Sequence, residues 1–72
     1  EKTARTLSEQ QQFLVEGLPN VSAILAQRLL QHFGSIRALA NATEEELCKI
    51  PGIGKNIAEE ILKILNTEYL KE

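Results

Sequence analysis

The sequence predicts a compact all-α domain of five helices with an internal pseudo-two-fold repeat, and three observations support this fold class. Apolar residues recur at the spacing of helix faces, and no segment alternates between apolar and polar residues as a half-buried strand would. Serine, threonine and glycine residues divide these segments at positions typical of helix caps. Finally, Pro51 lies 32 positions after Pro19 and Leu62 lies 32 positions after Leu30, which is the register of an internal repeat.

The first helix is expected to open the domain. Ser8 and Gln11 have the spacing of a capping box, in which two side chains bind the free amides at a helix start. The helix would continue to Gly17, where glycine ends the apolar pattern. The domain is therefore predicted to span residues 8–66, and residues 1–7 are predicted to form a flexible segment before it.

A turn at residues 18–23 separates the first helix from the second. Ser22 is placed to cap the second helix, and Gly34 is placed to end it in the left-handed conformation that helix ends favour. The apolar residues of this helix form one stripe that is predicted to face the core: Leu25, Ala26, Leu29, Leu30 and Phe33.

Two short helices are predicted next. Ser35 can cap the third helix through its hydroxyl group. Thr43 and Glu46 have the spacing of a second capping box, which predicts the start of the fourth helix. This helix is expected to end near Lys49, just before the second proline of the chain.

The fifth helix follows a turn at residues 50–56 and is expected to end at Asn66, so that residues 67–72 form a tail. Its apolar stripe repeats that of the second helix at the same offset, and it is predicted to be core: Ile57, Ala58, Ile61, Leu62 and Leu65. The two halves of the chain are therefore expected to be copies of one helical hairpin.

The composition limits the classes of function. With 72 residues the chain forms one small domain, and a core of this size stabilises a fold only marginally, so a partner subunit is expected. A net charge of −2 argues against a protein that coats nucleic acid by bulk electrostatics, and any phosphate binding must be local.

The sequence also indicates an intracellular protein, of the cytoplasm and nucleoid or of a nucleus. The apolar runs are too short to span a bilayer, and the first residues lack the apolar core of a signal peptide, so no membrane partner is expected. Cys48 is the single cysteine, which excludes an internal disulfide. Its apolar neighbours predict a small buried residue.

The second turn carries the chemistry that the sequence offers. Pro51 stops the preceding helix, the glycines permit a tight turn, and Ile53 is expected to anchor the turn in the core. The amides of Gly54, Lys55 and Asn56 open the next helix without intrahelical acceptors, so they can donate to a phosphate. Lys55 adds a cation, and such a site reads the backbone rather than the bases.

Two such turns are predicted to hold two phosphates, on opposite strands of a duplex. A purely structural turn is the competing interpretation, since glycine and proline punctuate many helical hairpins. A P-loop is excluded because Lys49 stands where its first glycine belongs, and a Rossmann fingerprint is excluded because Ile57 stands where its third glycine belongs.

No catalytic residue, metal site or cofactor is predicted. Residues 44–46 are three glutamates in the first turn of a helix, where they serve capping and the helix dipole. His32 stands without a second histidine and is expected to be a solvated residue at a helix edge. The chain is therefore not expected to be an enzyme by itself.

Four apolar residues have a polar counterpart in the other repeat, so the core of the hairpin does not account for them. They are candidates for an additional buried surface between two copies of the chain: Phe13, Leu14, Ile24 and Ile64.

The paired turns, each followed by a helix with the pattern Ala-x-x-Ile/Leu-Leu and joined through residues 33–36, resemble a tandem helix-hairpin-helix domain over Ser8 to Asn66. Within that class, residues 12–21 and 29–35 resemble the C-terminal domain of the XPF structure-specific endonuclease family, of the archaeal Hef type. The UvrC-type excision nucleases have a similar pair of hairpins and remain an alternative. A helical assembly module that does not touch DNA is the other alternative.

The resemblance implies a noncatalytic module that binds forked, flapped or branched DNA without sequence preference, forms a homodimer and is attached to a nuclease domain. It implies DNA contacts at the second hairpin through Gly52, Ile53, Gly54, Lys55 and Asn56. A weaker contact is expected at the first hairpin through Asn20, Val21, Ser22 and Ala23, helped by Arg28. The weakness is expected because Ala23 supplies no cation where the second repeat has Lys55.

Overall fold

Five α-helices make up the fold, in the order that the sequence predicts. The computed structural model describes residues 6–71, and none of them lies in a strand. The helices are α1 Leu7–Val15, α2 Ala23–Phe33, α3 Ile36–Ala40, α4 Glu44–Leu47 and α5 Lys55–Asn66. None of the helices within residues 6–71 combines the length and the apolar character needed to cross a membrane.

Side-chain caps start three of the helices as predicted. The hydroxyl oxygens of Ser22 and Ser35 accept hydrogen bonds from amides in the first turns of α2 and α3. Thr43 and Glu46 form the predicted capping box of α4. Gly34 ends α2 with a φ of 85°, the left-handed conformation expected there.

The start of α1 differs from the prediction, since Thr6 rather than Ser8 is its cap. The Thr6 hydroxyl accepts from the amide of Glu9 at 3.1 Å, and the Glu9 carboxylate accepts from the amide of Thr6 at 3.0 Å. Both Thr6 and Ser8 fit the capping pattern, but a carboxylate at the third position also interacts favourably with the helix dipole, which an amide does not. Residues 1–5 of the predicted flexible segment lie outside the described residues.

The internal repeat extends to individual backbone hydrogen bonds. Four bonds close each hairpin, and the corresponding bonds lie 32 positions apart in the chain. Their donors are the amides of Gly17, Leu18, Val21 and Ala26 in the first hairpin, and of Lys49, Ile50, Ile53 and Ala58 in the second. The two hairpins therefore have the same backbone path, which confirms the pseudo-two-fold repeat.

The core lies between the two hairpins. Helix α1 packs on α2 and α4 packs on α5, while α3 contacts both α2 and α5 and so joins the halves. The centres of the two predicted stripes are fully buried: Ala26, Leu29, Ala58 and Ile61. The other six stripe residues are partly buried and pack against this core.

Cys48 is exposed, so the prediction of a buried cysteine was wrong. It is the C-cap of α4, and the preceding Leu47 occupies the core position with no exposed surface. The corresponding residue of the first repeat is Glu16, the C-cap of α1. The apolar neighbours Leu47 and Ile50 are therefore in the core, while Cys48 between them is exposed.

Candidate nucleic-acid interface

The second hairpin contains a tight turn at residues 50–53. The amide of Ile53 donates to the carbonyl of Ile50 at 3.0 Å, and Gly52 has a φ of 97°. Proline at the second position and a positive φ at the third are the features of a type II β-turn. The side chain of Ile53 is buried and anchors the turn, as predicted.

The start of α5 is exposed and has no side-chain cap. Gly54 is the cap residue, with an extended backbone, and no side chain accepts a hydrogen bond there. The amides of residues 54–57 therefore lack both an intrahelical acceptor and a capping oxygen. Gly54, Lys55 and Asn56 are all exposed, so an anion can approach these amides from solvent.

Arg28 lies beside the second hairpin. Its Nη1 atom donates to the carbonyl oxygen of Pro51 at 2.8 Å, although the sequence places Arg28 near the first hairpin. Residue 28 belongs to α2 of the first repeat, and its guanidinium reaches the turn of the second. The second hairpin thus has two cations next to it, Arg28 and Lys55. The expectation that Arg28 helps the first hairpin to contact DNA stays a prediction.

The first hairpin has the same turn with different side chains. Asn20 takes the positive φ, 62°, which the sequence expected asparagine to tolerate. The Ser22 hydroxyl accepts from the amide of Leu25 at 3.3 Å, so a side chain already occupies part of the helix start. The first residue of α2 is Ala23, which offers no charge.

Asn20 also has a partner that the sequence did not indicate. Its Nδ2 atom donates to the Oε1 atom of Glu60 on α5 at 2.9 Å. Glu60 and Arg28 are 32 positions apart, so they occupy the same place in the two repeats. Each of these two side chains reaches the turn of the opposite hairpin. The 32-residue repeat aligns residues 28 and 60, but it does not show that each contacts the turn of the other repeat.

The four candidate interface residues are all exposed, and three of them line two separate grooves. Phe13 and Leu14 line a shallow groove together with Leu7 and Ile36. A different groove contains Ile64, with these other apolar lining residues: Pro19, Tyr69 and Leu70. Ile24 lies in the first turn of α2, beside the first hairpin.

Metal ligands are not clustered in the part of the chain that the structure describes. Across residues 6–71 no group of three or more His, Cys, Asp or Glu side chains is arranged to hold a metal ion. His32 is exposed and stacks edge-on against Phe33, with ring centroids 4.8 Å apart.

The family model described as the helix-hairpin-helix motif matches residues 11–72. The chain therefore belongs to the helix-hairpin-helix family, in agreement with its two hairpins. Solved structures agree as well: XPF from Aeropyrum pernix superposes with a TM-score of 0.88 and 34% identity, covering 97% of this chain and 33% of that one. The same protein in a complex with DNA gives a TM-score of 0.85 and 37% identity, covering 90% of this chain and 32% of the other.

Two relatives in sequence match nearly the whole chain. The 3'-flap repair endonuclease Xpf of Saccharolobus solfataricus is 48% identical over 66 residues, which are 92% of this chain and 28% of Xpf. MJ1505 of Methanocaldococcus jannaschii, named as an ATP-dependent RNA helicase, is 50% identical over 68 residues, which are 94% of this chain and 9% of MJ1505. The chain is thus homologous to one domain of XPF-type endonucleases and spans less than a third of these relatives.

A UvrABC system protein C of Pseudomonas aeruginosa is 41% identical over 54 residues, which are 75% of this chain and 9% of the relative. This match is shorter and less similar than the match to Xpf. The added residues of the longer alignment favour the XPF-type assignment over the UvrC-type alternative.

Proposed function

We propose that this domain binds the phosphate backbone of duplex DNA through its second hairpin, as the noncatalytic DNA-binding module of a larger structure-specific nuclease. Forked, flapped or otherwise branched DNA would be its target. One observation carries the proposal: the start of α5 presents uncapped amides beside Lys55 and Arg28. Main-chain amides and flexible cations contact phosphates and do not distinguish bases. A DNA-binding role also predicts an intracellular location.

The charge distribution supports a local contact rather than a broad one. The chain carries 8 basic and 10 acidic residues, so its overall field does not attract DNA. A phosphate at the second hairpin would instead meet two cations and the positive end of the α5 dipole. Cleavage would belong to a nuclease domain elsewhere in the full protein, since no catalytic constellation is predicted within this sequence.

The proposed module also forms a homodimer. Phe13 and Leu14 are 64% and 63% exposed, and Leu7, in the same groove, is 78% exposed. Large apolar side chains that share one exposed groove are typical of a protein interface. A second copy of the chain is the proposed partner, since a domain of this size gains stability from association.

The test is a titration of a forked duplex at several salt concentrations, read by fluorescence anisotropy. Lys55→Glu is expected to weaken binding about tenfold or more and to reduce the slope of log affinity against log salt by about 1, because one phosphate contact is lost. Lys63→Glu is the matched control. It makes the same charge change about 12 Å further along α5, so it should have a much smaller effect.

Gly54→Ser tests the amides separately from the charge. Ser22 already shows that a serine at this place caps the following helix. A serine at position 54 should therefore bind the amide of Ile57, keep the fold and weaken DNA binding. The proposal would be contradicted if Lys55→Glu and Lys63→Glu bound the duplex with equal affinity and Gly54→Ser bound it as tightly as the wild type.

An assembly module without DNA contact is the second candidate, and the exposed apolar grooves favour it. It predicts a wild type that associates but shows no salt-dependent affinity for the duplex. The same titration therefore separates the two functions.

A further inference from the structure

The two hairpins have the same backbone but opposite charges next to their turns. Position 28 of the first repeat is an arginine, and the equivalent position 60 of the second is a glutamate. Arg28 donates to the carbonyl of Pro51 in the second turn, while Glu60 accepts from Asn20 in the first turn. The crossed packing thus places a cation at one hairpin and an anion at the other.

Neighbouring side chains do not reverse the charge at the first hairpin. The groove that contains Pro19 is also lined by two acidic and two basic residues, whose charges sum to zero: Glu60, Lys63, Glu68 and Lys71. Of these four, Glu60 is the one hydrogen-bonded to the turn. Its carboxylate is held beside Asn20, where an approaching phosphate would meet it.

The start of α2 also offers less to a phosphate than the start of α5. The Ser22 hydroxyl accepts from the amide of Leu25, whereas the cap of α5 is a glycine without such a bond. Ala23 and Ile24 stand where the second repeat has Lys55 and Asn56. A phosphate at the first hairpin would therefore find fewer free donors and no cation in the helix start.

We infer that Glu60 excludes phosphate from the first hairpin, so that each chain holds the DNA backbone through its second hairpin alone. This inference rests on the proposed DNA-binding function. It departs from the sequence expectation of two phosphate contacts in one chain. Repulsion between two negative charges is strongest at short distance. Removing the Glu60 charge should therefore let a phosphate contact the first hairpin.

The experiment compares Glu60→Gln with Glu59→Gln in the same anisotropy titration. Glutamine keeps an oxygen that can accept from Asn20, so Glu60→Gln removes the charge and retains the hydrogen bond. Glu59 is the matched control, since it is also an exposed residue of α5 but lies about 100° around the helix from Glu60.

Glu60→Gln should bind the duplex about threefold more tightly, the effect of removing one charge roughly 6 Å from a phosphate in water. The slope of log affinity against log salt should also steepen, because salt screens the repulsion that the wild type retains. Glu59→Gln should leave the slope unchanged.

The outcomes separate this inference from the proposed function. A wild type that binds DNA, with Glu60→Gln and Glu59→Gln giving equal affinities and slopes, would overturn the inference alone. A wild type that does not bind DNA would overturn the proposed function and this inference with it. Circular-dichroism melts of all variants verify that the fold is retained.

Discussion

Replacing Gly52 with alanine is expected to destabilise the second hairpin, because the backbone there suits glycine for two reasons. Gly52 has a φ of 97°, a conformation that side chains with a β-carbon rarely adopt. A β-carbon at this position would also lie 2.9 Å from the Cδ2 atom of Leu25, closer than carbon atoms normally approach. The neighbouring Gly54 has neither problem, since its backbone is extended and nothing lies within 4 Å of a β-carbon placed there.

The magnitude follows from these two contributions. The left-handed backbone costs a residue with a β-carbon about 1–2 kcal/mol. The close contact involves the end of a flexible side chain, and moving Leu25 off its rotamer costs about 0.5–1.5 kcal/mol. Gly52→Ala should therefore lower the free energy of unfolding by about 1.5–3.5 kcal/mol. For a chain of 72 residues, whose total stability is about 4–11 kcal/mol, this is a large fraction.

The assay is thermal and urea unfolding followed by circular dichroism. Gly52→Ala should lower the melting temperature by about 6–28 °C. Gly54→Ser should be neutral or stabilise by a few tenths of a kcal/mol, because serine is the better cap and Ser22 has the same extended conformation in the first repeat. Gly52→Asn should cost less than Gly52→Ala, since Asn20 occupies the equivalent position with a φ of 62°. Equal melting temperatures for Gly52→Ala and Gly54→Ser would refute the reasoning.

Two further predictions concern α1. Thr6→Ala should destabilise the domain by about 1 kcal/mol because it removes the capping box, whereas Ser8→Ala should stay within about 0.5 kcal/mol; urea unfolding measures both, and a larger loss for Ser8→Ala would contradict the assigned cap. Phe13→Ala should shift the species in analytical ultracentrifugation from dimer toward monomer, because it removes a large apolar side chain from the proposed interface. A wild type that sediments as a monomer at high protein concentration would end that proposal.

Local patterns predicted most of the fold because its elements are specified by short-range chemistry. The period between Pro19 and Pro51 located both hairpins, and Ser22 and Thr43 marked helix starts because their hydroxyl groups bind amides only three residues away. The same logic misplaced the start of α1, since Thr6 and Ser8 both fit the pattern and the difference depends on Glu9. The exposure of Cys48 was also missed, because its apolar neighbours in the sequence do not tell which side of the chain faces the core at the end of α4.

The sequence by itself determined the two turns, their 32-residue register and the uncapped helix start beside Lys55, all of which depend on residues close together in the chain. The tertiary structure alone decided which charge stands next to each turn. Arg28 meets Pro51 across 23 positions and Asn20 meets Glu60 across 40, so both contacts exist only after the hairpins have packed against each other. Such contacts follow from the packing of the two hairpins, and no local pattern encodes that packing. The sequence already shows that the first hairpin lacks the lysine of the second. The packing adds a second difference, since it places Arg28 at the second turn and Glu60 at the first.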